Sequence, residues 1–200
     1  MSFLQTLASA FKGGGSPRVP LARTFTSPWL YAEGSAKAPF DYSRAVKRGY
    51  LDNPVAQRAV RLVAEGIGGA PLGPIDPKLA ALVSATSAGQ SLLETLASQL
   101  LLHGNAYVQV IKDGAGAPAE LFALRPERVS VIAGADGWPS GYAYKVGEQA
   151  LSIPVLDEDA SPNLIHIKYF HPADDHYGAS CLAAADEAVA SHNAAAAWNR

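Results

Sequence analysis

Five side chains able to bind a metal or move a proton crowd into one short stretch, His166, His171, Asp174, Asp175 and His176, with Cys181 just beyond. Imidazoles and carboxylates are the ligands of zinc and iron sites, so a metal-dependent hydrolase using His166, His171, Asp174 and His176 is one reading. The spacing does not favour it: no H-E-x-x-H pair is present, and His166 falls inside a strand-like run. Pro172, the two aspartates and Gly178 instead read as a polar loop feeding a helix, where carboxylates cap exposed amides. Cys181 near His176 offers two parts of a thiol nucleophile without a third group to orient the base. A lone cysteine on an alanine-rich helix is far more often a small buried apolar residue. Gly13-Gly14-Gly15 follows no strand and precedes no Lys-Ser or Lys-Thr, which removes a phosphate loop. Arg125 and Arg128, three apart beside Pro126, would suit nucleic acid or an acidic partner, but a turn with two solvated arginines is the simpler reading. No catalytic, cofactor-binding or metal-binding residue is assigned.

Composition narrows the classes further. Two hundred residues are enough for a sizeable core. Charged residues make up 17% of the chain, against about 25% in ordinary soluble domains, so part of the surface is expected to be covered by other protein. A net charge of −2 and a pI near 6.2 argue against a domain that grips phosphates through clustered Lys and Arg. One cysteine excludes an internal disulfide framework and fits a reducing compartment. No window carries the apolar run of about 18 residues that a membrane helix needs. Met1 to Phe11 lacks the basic start of a signal peptide, and Phe3, Leu4, Leu7 and Phe11 would line one side of a short helix that docks on protein.

The elements that must position these residues are organised around Leu100-Leu101-Leu102-His103-Gly104-Asn105-Ala106-Tyr107-Val108-Gln109-Val110, where an apolar helix stops on a glycine and turns into a strand. Gly104 suits the positive φ common just past a helix end, and Asn105 is the other residue type that tolerates such turns. Upstream, residues 13–39 are rich in Gly, Pro, Ser and Thr with scattered aromatics, and read as a linker or an extended arm anchoring on a neighbouring subunit. Asn53-Pro54 caps and opens a helix of about four turns; Val55, Ala59, Leu62 and Gly66 recur at helical spacing, with Arg58, Arg61 and Glu65 facing outward. Asp76-Pro77 starts a second, shorter helix. Either Ser87…Gln90 or Ser91…Glu94 forms the capping box of the third, whose stripe of Leu93, Leu96, Leu100 and His103 should make it the most buried of the three.

Beyond Asn105 the period becomes extended. Strands are expected at 107–111, 120–124, 129–132, 142–146, 150–156 and 164–170, joined by turns at Asp113-Gly114 and Asp136-Gly137, and consecutive strands give an antiparallel, meander-like sheet. From Gly178 the chain has ten alanines in its last twenty-three residues, a helix expected to pack tightly and to continue past Trp198-Asn199-Arg200. The fold class is α+β.

Several of these blocks, in order, resemble the tailed-phage portal protein family, in the long-tailed-phage branch that includes prophage and gene transfer agent portals. Leu100 to Tyr107 is similar to its L-x-G-N-A-Y signature, and the helix from Asn53 to its N-x-x-V-x-x-x-V-x-x-I-A helix. Leu124-Arg125-Pro126-Glu127-Arg128-Val129 resembles L-x-P-x-x-V. Ile165-His166-Ile167-Lys168 through Gly178-Ala179-Ser180-Cys181-Leu182 resembles V-x-H-x-K/R followed by G-x-S-x-L. The motif positions are thus Asn53, Gly104, Asn105, Tyr107, Arg125, Pro126, His166 and Gly178. The proline-rich Gly68 to Lys78 region departs from the pattern, being shorter than the hairpin-like segment of relatives.

The resemblance implies a structural subunit, not an enzyme and without a cofactor, of a homo-oligomeric ring, usually twelve subunits, at one capsid vertex. Double-stranded DNA is packaged and ejected through such a ring. Implied partners are the major capsid protein, the terminase that supplies ATP hydrolysis, and a head-tail adaptor protein, with no membrane. The place is the virion, after assembly in the bacterial cytoplasm. Residues 1–45 would be an N-terminal arm and 46–200 the wing domain, with stem, clip and crown beyond residue 200. A small protein-binding adaptor acting through the arm is the remaining alternative.

Overall fold

A computed structural model describes residues 41–73, 76–87, 89–157 and 160–199. The stretch read as a linker or arm, residues 13–39, and the apolar stripe at Phe3 to Phe11 lie outside the described residues. Helix α1 (Tyr42–Val46), capped by the Asp41 carboxylate, runs on as a π-helical turn over Lys47–Leu51. The expected helices follow: α2 (Pro54–Gly68), α3 (Pro77–Ser84), α4 (Leu92–His103) and α5 (Cys181–Trp198). Local chemistry sets their starts. Asn53 Oδ1 accepts from the Ala56 amide at 2.9 Å, Asp76 Oδ1 from Lys78 at 2.8 Å, and Ser91 Oγ from Glu94 at 3.5 Å. Ser87 takes a different part. It lies in the short strand β1 (Thr86–Ser87), paired with β2 (Gln90–Ser91), and its Oγ accepts from Ala123 N at 3.0 Å.

The remaining strands are β3 (Asn105–Lys112), β4 (Pro118–Leu124), β5 (Val129–Ala133), β6 (Pro139–Val146), β7 (Gln149–Pro154) and β8 (Leu164–Lys168). They form two antiparallel three-stranded sheets where one was expected: β5-β6-β7 is a meander, while the other has the order β4-β3-β8. Consecutive pairing fails at β8, which returns to β3 with Tyr107 opposite His166 and Ala106 opposite Ile167. The reason lies in the side-chain period of two. On one face of β3, Ala106 and Val108 pack against Leu92 and Leu96 of α4. On the other, Tyr107 joins Leu124 and Leu164 against Val129, Tyr142 and Ile153 of the second sheet. A strand buried on both faces requires paired neighbours along both edges. The result is three layers, helix on sheet on sheet.

Helix α4 is the most buried of the three N-terminal helices, as expected, hiding Leu92, Leu96, Ala97 and Leu102. The face of α2 is the opposite of the expected one. Asn53, Ala64 and the half-buried Val60 turn inward, while Val55, Leu62 and Ile67 stand in water. Small side chains permit close approach to α4, and the larger ones are left outside. Nor does α5 pack tightly among the described residues. It buries only Leu182 and Val189, with Leu182 joining Ala45 and Leu102 in a third cluster.

Asn53 does more than cap. Its Nδ2 reaches Asn193 Oδ1 at 2.9 Å and His192 Nδ1 at 3.1 Å, and Asn193 Nδ2 donates to the Arg48 carbonyl at 2.9 Å. One amide thus ties the start of α2 to α5. Replacing a cap costs about 1 kcal/mol, and losing the bonds to part-buried partners costs about 1 kcal/mol more. Asn53→Ala should therefore lower unfolding free energy by about 2 kcal/mol in urea titration, against about 1 kcal/mol for Asn193→Ala.

Candidate structural junction

Five of the eight motif positions, separated by up to seventy-four residues in sequence, meet at one place: Gly104, Asn105, Tyr107, His166 and Gly178. The helix α4 ends there with Gly104 at φ +82°, its amide bonded to Leu100 O at 2.8 Å. The left-handed turn swings the next residue into β3. The loop after β8 crosses this turn so closely that a Cβ on Gly104 would lie 2.5 Å from the Gly178 carbonyl oxygen, and a Cβ on Gly178 would overlap the Gly104 carbonyl and come within 2.7 Å of Tyr169 N. Both must be glycine. Tyr169 N donates to Gly104 O at 2.9 Å across the crossing.

Asn105, 1% exposed, fills the space beside the two glycines. Its Oδ1 accepts from Gly178 N at 2.7 Å and from His166 Nε2 at 3.0 Å. Its Nδ2 donates to His103 Nδ1 at 3.2 Å, His103 O at 3.3 Å and Gly178 O at 3.3 Å. An amide oxygen only accepts, so Nε2 of His166 carries a proton. His166 stacks on Tyr107 at 4.3 Å and meets Tyr142 edge-on at 5.9 Å. Burial, with Lys168, His103 and His176 nearby, pushes its pKa down to about 4. Burial likewise lowers His103 and raises the Tyr107 phenol, whose buried hydroxyl has no hydrogen-bond partner among the described residues.

The loop itself supplies the rest of the junction. Asp174 Oδ1 accepts from His176 N at 2.7 Å and Tyr177 N at 2.9 Å, the capping role read from the sequence. Tyr177 Oη accepts from Val131 N at 2.9 Å, reaching the second sheet. Ser180 Oγ accepts from Leu182 N at 3.0 Å and donates to Leu102 O at 2.7 Å, joining the start of α5 to the end of α4. The long-range contacts of Tyr142, Tyr177 and Ser180 carried no sequence signal, because those partners are distant in the chain.

The side chains of His166, His171 and Asp174 are therefore struts. His166 is taken by Asn105, His171 Nδ1 by Ala173 N at 3.1 Å, and the Asp175 carbonyl by Lys168. Among the described residues no three His, Cys, Asp or Glu side chains are grouped to hold a metal ion, so the hydrolase reading finds no support in this geometry. Cys181 is exposed at the first turn of α5, contrary to the buried position expected; a helix start beside a crossing loop faces outward.

One nucleophile–base pair escaped sequence reading. Lys112 Nζ lies 2.6 Å from Ser161 Oγ, with Asp157 paired to the same ammonium. A lysine activates serine only when its amine is neutral. Here the Asp157 carboxylate, bonded to Lys112 and to Ser161 N and held down to about 2, occupies the same ammonium. The triad is a loop staple. Arg125 and Pro126 stand apart from the junction, Pro126 buried at the start of a single 3₁₀ turn and Arg125 exposed, 3.6 Å from Glu127. They edge a groove of about 980 Å³ between α1, α4 and β4.

Two outcomes follow from this geometry. Gly104→Ala combines a disfavoured φ with a backbone overlap and should cost about 3 kcal/mol or more, read by chemical denaturation. Below the ordinary histidine value of 6.5 the unfolded chain takes a proton that folded His166 refuses. Its contribution is complete above about 6.5 and is lost as pH falls toward 4. The thermal midpoint should drop between pH 7 and pH 5, and drop less in His166→Gln, which is weaker at pH 7.

Comparison with known proteins agrees with the family resemblance. A protein chain from the virion of a native gene transfer agent particle is 38% identical, with a TM-score of 0.72 over 86% of this chain and 48% of that one. One from the neck of the native particle, computed with C12 symmetry, is 41% identical with a TM-score of 0.71, over 81% of this chain and 44% of that one. An uncharacterized protein of Rickettsia felis is 26% identical over 163 residues, 75% of this chain and 41% of its own length. This chain thus spans less than half the length of each of these relatives. The model of the phage portal protein family matches residues 54–200, through the glycine crossing and both motif-bearing strands, and the chain belongs to that family.

Proposed function

We propose that this chain is the wing part of a portal subunit, a non-catalytic piece of a closed ring at one vertex of a virus-like particle, through which double-stranded DNA is packaged and ejected. The observation that carries the reading is the 41% identity, across 81% of the chain, to a protein in a gene transfer agent neck computed with C12 symmetry. Twelve copies are the corresponding ring size.

The physical features agree with this role. Among the described residues, the imidazoles and carboxylates that could bind a metal are not grouped to hold one. The formal charge of −2 does not suit a chain that grips phosphates, in keeping with DNA that must slide past. Sister subunits, the major capsid protein, a head-tail adaptor and the terminase are the partners that the role requires. The stem, clip and crown of such a subunit would be formed by chain outside residues 46–200, and the particle is the place where it works.

The full-length gene product should appear as closed rings of about twelve copies, the ring size of the C12 neck, by negative-stain microscopy and mass photometry at micromolar concentration. A species that stays monomeric at every salt and protein concentration would overturn the proposal.

A further inference from the structure

Helix α2 turns its large apolar side chains outward. Val55 is 63% exposed, Leu62 60% and Ile67 43%, with Val63 and Leu51 beside them. An amphipathic helix whose broad apolar stripe lies in water marks a surface meant for another molecule. The flank of that stripe is positive. Arg58 and Arg61 both pair with the single carboxylate of Glu65, at 3.1 and 2.9 Å, so two cations share one anion.

A matching hollow lies elsewhere on the same chain. Between α3 and the helix-facing side of the β4-β3-β8 sheet is an apolar cleft of about 270 Å³, lined chiefly by Leu79, Leu82, Val83, Val110, Leu121 and Ile165. Its wall includes exposed apolar surface, with Leu79 53% and Ile165 40% in water. Its rim is acidic. Asp113 begins the turn that supplies Gly116 and Asp157 begins the loop that supplies Ser161 and Pro162, two carboxylates against one lysine, Lys112, already paired with Asp157.

We propose that this cleft receives the α2 stripe of a second copy of the chain, with Leu62 entering beside Leu82 and Ile165 and the Arg58–Arg61 flank against the Asp113 and Asp157 rim. The inference rests on the ring reading above and names the two surfaces that make it. A closed ring of more than two copies needs a ridge and a hollow that differ, since a self-complementary patch stops at a dimer. The ridge and the cleft differ in shape and in the sign of their flanking charge, and charge complementarity of that kind fixes partner and register.

The test uses the full-length gene product with Cys181 and any other cysteine replaced by serine, carrying Leu62→Cys and Leu82→Cys together and each alone. Mild oxidation of the double variant should give a ladder of disulfide-linked multimers on non-reducing gels, absent from both single variants. Leu62→Asp, at a position already in water, should keep the far-ultraviolet dichroism and thermal midpoint of the chain and lower the ring population at least tenfold. Rings visible by microscopy without a ladder, or Leu62→Asp assembling as well as the parent, would overturn the pairing and leave the portal reading standing. Dimers from Leu62→Cys alone would overturn it in favour of a self-contact. The absence of rings from parent and variants alike would overturn both readings.

Discussion

Two backbones cross at Gly104 and Gly178 with no room for a Cβ on either. The junction of α4, β3 and α5 depends on that crossing. It fixes where α4 ends and where β3 begins, and it carries the loop after β8 back over the helix end so that α5 can start beside Leu102. Moving either strand outward by the width of a methyl group would break the Tyr169–Gly104 bond and strand Asn105 in the core.

Asn105 shows how such a crossing is made tolerable. A buried amide without partners costs several kcal/mol, whereas one with both ends satisfied specifies a single arrangement. Here the oxygen accepts twice and the nitrogen is shared among three acceptors, two of them main-chain carbonyls. His166 completes the set by staying neutral between two tyrosine rings. The histidines and aspartates that look catalytic in the sequence are spent in this way. His166, His171 and Asp174 each hold a backbone group or another side chain, and among the described residues no three such groups converge on a metal site.

The outside of the molecule follows another rule. Small residues of α2 face inward and large apolar ones outward, which is unfavourable for an isolated chain and natural for a piece of an assembly. The low charge density agrees, because a surface covered by sister molecules has little use for solvated ions.

Local chemistry was legible in the sequence because its causes span only a few residues. Asn53, Asp76 and Ser91 announced helix starts, Gly104 announced a helix end, and the change of period after Asn105 announced strands. The motif blocks pointed to the family through their order. Tertiary structure alone decided which face of α2 is buried, since apolar periodicity gives a stripe without saying whether it meets this chain or another. It also decided that β8 returns to β3, because the choice between an adjacent strand and a distant one depends on covering both faces of Tyr107 and Val108. The union of Gly104, Asn105, His166 and Gly178 was likewise invisible beforehand, because contact between groups more than sixty residues apart is set by packing and leaves no periodic trace along the chain.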